Sequence, residues 1–176
     1  MWALLGMSAN VPMDIRFGLP RARAVPDDGK YIDRAMADKR RIRKQSAVIP
    51  WRKAGKSIQV MLITSRDTAR WVLPKGTIES NMSPAASAAR EAEEEAGVSG
   101  TVVEKPIGSY NYVKTLRKGG EKCNVEVFTM RVAKVKDEWP EMADRSRKWM
   151  SFSQAAKRVN EKDLKRLLLI AARKLP

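Results

Sequence analysis

The sequence predicts an α/β fold in which one mixed β-sheet is covered by helices on both faces. Three observations carry that expectation. Val60-Met61-Leu62-Ile63 is apolar at four successive positions, so the strand that holds it has no solvent face. Ser83-Pro84 and Gly97 are the start and stop of a helix, and Ala85, Ala86, Ala88 and Ala89 give that helix a thin face able to lie close to a sheet. Leu164, Leu167, Leu168, Ala171, Ala172 and Leu175 then recur at helical spacing, a stripe most simply read as core packing.

The elements follow in order. Residues 1–39 have little periodicity and scattered Pro12, Gly18, Pro20, Pro26 and Gly29, which describes an irregular basic N-terminal arm; residues 40–176 form the folded domain. Met1 to Gly6 is apolar but too short for a signal-peptide core, and is expected to be an unstructured end. The basic run Asp38 to Lys44 is either a solvated charge run or a phosphate contact. Ala47 to Arg52 and Ser57 to Thr64 flank Lys53-Ala54-Gly55-Lys56 as a hairpin, and Trp71-Val72-Leu73 is a short strand ended by Pro74. After the helix, one strand is expected from Gly100 to about Tyr112. The turn Lys118-Gly119-Gly120-Glu121 joins it to a strand from Asn124 to Val132. A polar loop from Lys134 to Lys148 leads to Trp149-Met150-Ser151-Phe152 and then to helices, the last with Asn160 as its expected N-cap.

Composition narrows the chemistry. The chain has 176 residues, enough for one core, and its 35 Lys and Arg against 20 Asp and Glu give a net charge of +15. Such a balance favours polyanionic partners: phosphorylated small molecules, RNA or another nucleic acid, or an anionic surface. There is no histidine, which excludes Ser-His-Asp and Cys-His nucleophile systems and His-based metal sites. The single cysteine, Cys123, allows no intrachain disulfide and no thiolate cluster, so a reducing cytoplasmic setting is expected and any metal is held by oxygen. No apolar run reaches the length of a membrane span. Nothing in the sequence fixes an oligomeric state.

Within the central helix, Glu91, Glu93, Glu94 and Glu95 crowd the C-terminal end, where an acidic side chain costs ~0.3–1 kcal/mol against the helix dipole. Glu91, Glu94 and Glu95 stand at i, i+3 and i+4 and share one face, while Glu93 points elsewhere into solvent. Two readings remain open on spacing alone. One is an acidic surface helix neutralised by neighbouring lysines and arginines; the other is a hard-cation site in which Mg2+ or Mn2+ relieves the repulsion.

The wider pattern bears on the choice. Gly76, then Arg90-Glu91-Ala92-Glu93-Glu94-Glu95-Ala96-Gly97-Val98, resembles the Nudix box GX5EX7REUXEEXGU, with U apolar. One fixed position departs from it, because Met82 stands where the first box glutamate is expected. Trp71 to Gly76, Asp137-Glu138-Trp139 and Arg147-Lys148-Trp149 are similar to the diphosphoinositol polyphosphate and dinucleoside polyphosphate hydrolase branch.

That resemblance implies a Nudix-type α/β/α sandwich and a Mg2+-dependent (or Mn2+-dependent) pyrophosphohydrolase. The implied substrate is highly phosphorylated: a dinucleoside polyphosphate, a diphosphoinositol polyphosphate or a nucleoside triphosphate. It implies Glu91, Glu94, Glu95 and Gly76 as metal ligands, Arg90 as the residue that orients Glu94, and Glu94 or Glu95 as general base. Asp137, Glu138, Glu141 and Asp144 are loop alternatives for the base. Lys75 is expected beside the metal, with Arg41, Arg43, Lys44, Lys114, Arg117 and Lys118 able to ring the mouth of the site or to act only as solubility charges. Met82 implies altered metal occupancy, for which Glu79 is a partial substitute or merely an exposed loop acid. Two other functions stay in view: RNA 5′-pyrophosphate removal or RNA binding, suggested by the charge, and a catalytically weak polyphosphate sensor, suggested by Met82.

Overall fold

The computed structural model describes residues 42–116 and 119–176. The expected arm over 1–39 lies outside the described residues, as do Arg41, Arg117 and Lys118.

Strands β1 (Arg43–Ala54) and β2 (Ser57–Thr64) form the expected hairpin, turned at Gly55 with φ 62°. Two short strands follow, β3 (Trp71–Val72) and β4 (Lys75–Thr77), and then helix α1 (Pro84–Ala96). Next come β5 (Val98–Val102), β6 (Gly108–Leu116), β7 (Gly119–Val135) and β8 (Arg147–Ser151). Helices α2 (Phe152–Arg158) and α3 (Lys162–Lys174) close the domain.

All eight strands share one sheet. Its main path is β3-β2-β1-β7-β5, with β4 added to β1, β6 to β7 and β8 to β2. β1 and β7 run parallel and the other pairings are antiparallel, so the sheet is mixed. Side-chain alternation divides it into two cores. Val48, Met61, Ile63, Phe128 and Met130 face Ala85, Ala88, Ala92 and Ala96 of α1. Ala47, Ile49, Leu62, Val125 and Val127 face Ala155 of α2 and Leu164, Leu168 and Ala171 of α3. Burial of Val60 to Ile63 to 1% exposure or less follows from this double cover.

Three local expectations change. The strand expected from Gly100 to Tyr112 is two strands, because β7 is long enough to pair one after the other along a single edge. Val102 stands opposite Met130 and Gly108 opposite Val127, with the chain looping through Pro106 between them. Glu161, not Asn160, is the N-cap of α3, and it makes no side-chain capping bond. Finally, β8 ends directly in α2, where Ser151 and Gln154 form a reciprocal capping box.

Candidate active site

Helix α1 is fixed at both ends by the residues that define it. Ser83 accepts a hydrogen bond from the Ala86 N–H, and Gly97 adopts the left-handed conformation with its N–H donating to the Ala92 and Glu93 carbonyls. That frame places three acidic side chains over the β4 end of β1, each in a different setting.

Glu95 turns inward and is 5% exposed. Its Oε2 accepts the Lys75 N–H at 2.9 Å, and its Oε1 is paired with Arg145. Burial raises its pKa, with Arg145 and the Lys75 N–H opposing the shift. Glu94 is more exposed and accepts the Arg90 Nε–H at 2.7 Å, the i to i+4 pair expected within one helix. Arg90 also pairs with Glu79, so this loop acid is tied to the arginine.

Glu91 has no such partner, and among the described residues it forms no ion pair. Its carboxylate lies against Gly76; a Cβ at that position would stand 1.7 Å from Glu91 Oε1, so only glycine leaves room. Burial first, then the charges of Glu95, Glu94 and Glu141, push its pKa up to about 7. A carboxylate in that position holds uncompensated negative charge near neutral pH.

Arg145 was not singled out by the sequence, yet it organises the site. It is 9% exposed and joins Glu95, Glu141 and the Thr64 carbonyl. Glu141 also pairs with Arg66, and its N–H donates to the Glu94 carbonyl at 3.2 Å. Of the loop acids, Glu141 is therefore the one bound to α1. The only sequence signal for Arg145 was its i, i+4 spacing from Glu141. Ser46 was missed as well: its Oγ is buried without a hydrogen-bond partner, and it stands opposite Gly76 in the β1–β4 pairing. Glu93, expected in solvent, pairs with Lys136.

The described basic residues divide between the two sides of the sheet. Lys75 contributes its backbone to Glu95, but its Nζ lies 5.5 Å from the centroid of the Tyr112 ring, on the side of the sheet that carries α2 and α3. Burial lowers the pKa of that ammonium, against the attraction of Glu95. Arg43 shares this side and pairs with Glu121 at 2.7 Å, with Lys114 opposite Glu121 in the β6–β7 register. Lys44 faces the α1 side and donates to Asn124 Oδ1 at 3.3 Å. Arg41 and Arg117 lie outside the described residues.

Among the described residues no three acidic or cysteine side chains are gathered as a ready-made cage. The donor set still fits a hard divalent cation, since oxygen ligands carrying uncompensated charge are what Mg2+ or Mn2+ takes. Glu91, Glu94 and the Gly76 backbone would hold it, with Glu95 beside them, its oxygens also accepting from the Lys75 N–H and Arg145. Among the described residues, no helix is long and apolar enough to cross a membrane.

Comparison with known proteins places the chain in a family. The family model described as NUDIX domain matches residues 42–169. The chain is 32% identical over 104 residues to Nudix hydrolase 12, mitochondrial, of Arabidopsis thaliana, covering 56% of this chain and 50% of that protein. It is 25% identical over 122 residues to diphosphoinositol polyphosphate phosphohydrolase 2 of Rattus norvegicus, covering 68% and 64%. The crystal structure of the C. elegans Ap4A hydrolase superposes with a TM-score of 0.56 at 18% identity, over 77% of this chain and 100% of that one, a likeness of fold. The chain spans about half the length of the Arabidopsis relative. It belongs to the Nudix family.

Proposed function

We propose that this Nudix chain is a Mg2+- or Mn2+-dependent pyrophosphohydrolase that cleaves a phosphoanhydride bond in a highly phosphorylated substrate. The observation that carries the reading is Glu91: a half-buried carboxylate pressed on Gly76, its pKa raised to about 7 despite the charge of Arg90, and forming no ion pair among the described residues. A carboxylate half-buried among three other acids is favoured by an external positive charge beside it.

Glu91, Glu94 and Gly76 would hold a divalent cation, which would supply neutralising charge to a pyrophosphate and make a nearby water more acidic. The protein's own residues do the rest. Arg90 fixes one oxygen of Glu94 and so orients the carboxylate towards the cation, and the proton of the attacking water passes to a carboxylate of the same helix. The water oxygen bonds to phosphorus, the anhydride P–O bond breaks, and the departing phosphate keeps the bonding pair. Glu95, engaged through both oxygens, is a positioning group that ties α1 to β4 and Arg145, and Glu141 is held alongside by the same guanidinium. Lys44, on the same side of the sheet, is placed to meet substrate phosphates.

Dinucleoside polyphosphates, diphosphoinositol polyphosphates and nucleoside triphosphates are the substrate classes this site suits, and the names of the rat and nematode relatives support the first two. Met82, where the resemblance expects a glutamate, favours a slow enzyme, with a non-hydrolysing polyphosphate sensor as its limit. The test is a phosphate-release screen with and without Mg2+ over these classes, nucleotide sugars and 5′-triphosphate RNA, with Glu94→Gln as control. Mg2+-dependent release lost in the variant supports the reading; release that is indifferent to the substitution refutes it.

A further inference from the structure

On the α1 side of the sheet, register lines up residues from four strands. Ser46 of β1 stands opposite Gly76 of β4 and opposite Glu126 of β7, and Glu126 stands opposite Ser109 of β6. Residues directly opposite one another put their side chains on the same face. The row is the next one on that face after the apolar pair Val48 and Phe128, which α1 covers.

Three oxygen-bearing side chains meet in this row. At Gly76 the Glu91 carboxylate takes up the space that a side chain on the strand would fill. Beside it, Ser46 is fully buried and its Oγ has no hydrogen-bond partner. Glu126 follows, half-buried, and the exposed Ser109 ends the row. Lys44, the next residue of β1 on this face, turns its ammonium to Asn124 Oδ1 at 3.3 Å. Adjacent strands lie ~4.8 Å apart, so the backbones at Gly76 and Glu126, with β1 between them, are ~10 Å apart. Glu91 descends on that gap from α1 and Glu126 rises into it from β7, with the Ser46 hydroxyl on its floor.

Two carboxylates facing one space repel, and a buried hydroxyl without a partner is costly. A hard cation answers both, since it attracts the carboxylates and takes a lone pair of the hydroxyl. Mg2+ is commonly held by one or two carboxylates while keeping several of its waters, so this set of side chains is sufficient.

We propose that Glu91, Ser46 and Glu126 form a second divalent-cation site, for Mg2+ or Mn2+, beside the position that Glu94 and Gly76 complete, with Glu91 shared between the two. The inference rests on the pyrophosphohydrolase reading for the role of Glu91 alone. Glu126 lies outside the glutamate-rich helix, and through it the sheet supplies a carboxylate to a chain that has Met82 ahead of α1.

Titration of the metal-free full chain with Mn2+, followed by calorimetry and by the paramagnetic resonance of the free ion, counts the sites. The unaltered chain is expected to bind two ions and Glu126→Gln one. Ser46→Ala should weaken one of the two by about tenfold while melting no lower than the unaltered chain without metal. Neither substitution adds bulk, and a metal-free melting curve checks that both variants fold. A single ion in the unaltered chain, or a Glu126→Gln titration that matches the unaltered one, overturns the site. One ion that is lost in Glu94→Gln and untouched by Glu126→Gln would overturn it and leave the pyrophosphohydrolase reading standing. Two ions without phosphate release from any substrate class would do the reverse.

Discussion

The α1 side of the sheet has two halves built from the same two strands. Under the helix, alternate residues of β1 and β7 are Val48, Phe128 and Met130, all at 2% exposure or less. Towards the other end, the alternation continues on the same face with Ser46, Lys44, Glu126 and Asn124. The pleat and the hydrogen-bonded ladder do not change between them. What changes is the neighbour: alanines of α1 exclude water from one half, while the carboxylate of Glu91 borders the other at Gly76. The candidate site thus begins where the strand's inward positions stop being apolar, although Ser46 at the border is still fully buried.

The contrast can be broken first in the apolar half. Phe128→Ala is expected to cost ~3–5 kcal/mol of stability in urea unfolding, because a large ring is removed from between the sheet and α1. A loss under 1 kcal/mol would show that the helix does not depend on that contact. At the border, Arg145→Ala leaves Glu95 and Glu141 without their shared guanidinium. About 3 kcal/mol of stability should go with it, and the variant should regain some of that at lower pH, where Glu95 takes up a proton. Equal stability across pH would rule out the clamp.

Smaller effects separate the halves more finely. Ser46→Ala removes a buried hydroxyl that has no partner, so melting should be unchanged or a few degrees higher. A clear loss would reveal a hydrogen bond formed by Ser46. Glu91 gives a pH signature. Its folded pKa, about 7, is above the ordinary 4.5, so the folded state binds this proton more tightly than the unfolded chain. The metal-free protein therefore loses stability from this group as pH rises from about 4.5 through about 7, and the slope flattens above that. Melting in EDTA at pH 6 and pH 8 measures it, and Glu91→Gln should reduce the difference.

Much of this was legible in the residues themselves because the signals are local. Ser83, Pro84 and Gly97 define α1 within one turn of its ends, and the i, i+4 pairing of Arg90 with Glu94 needs only helical geometry. The crowding of glutamates likewise announced an electrostatic problem that the fold leaves unsolved at Glu91. What escaped depends on partners far away in the chain. Arg145 reaches Glu95, 50 positions away, and Thr64, 81 away, and no local pattern reports that. The division of the basic residues between two sides of the sheet was hidden for a similar reason: Lys75 and Lys44 take their sides from strand register, set by β1, β4 and β7 together. The break between β5 and β6 follows from the length of β7, a property of the sheet and not of residues 103–107.

The central claim is that Glu91 carries a charge meant for a divalent cation. Thermal melting at pH 8 with EDTA, Mg2+ or Mn2+, for the unaltered chain and Glu91→Gln, tests it most directly. Either ion should raise the melting temperature of the unaltered chain, and the variant, already relieved of the buried charge, should melt at or above the metal-free protein and gain little from the ion. An equal rise in both proteins would contradict the account.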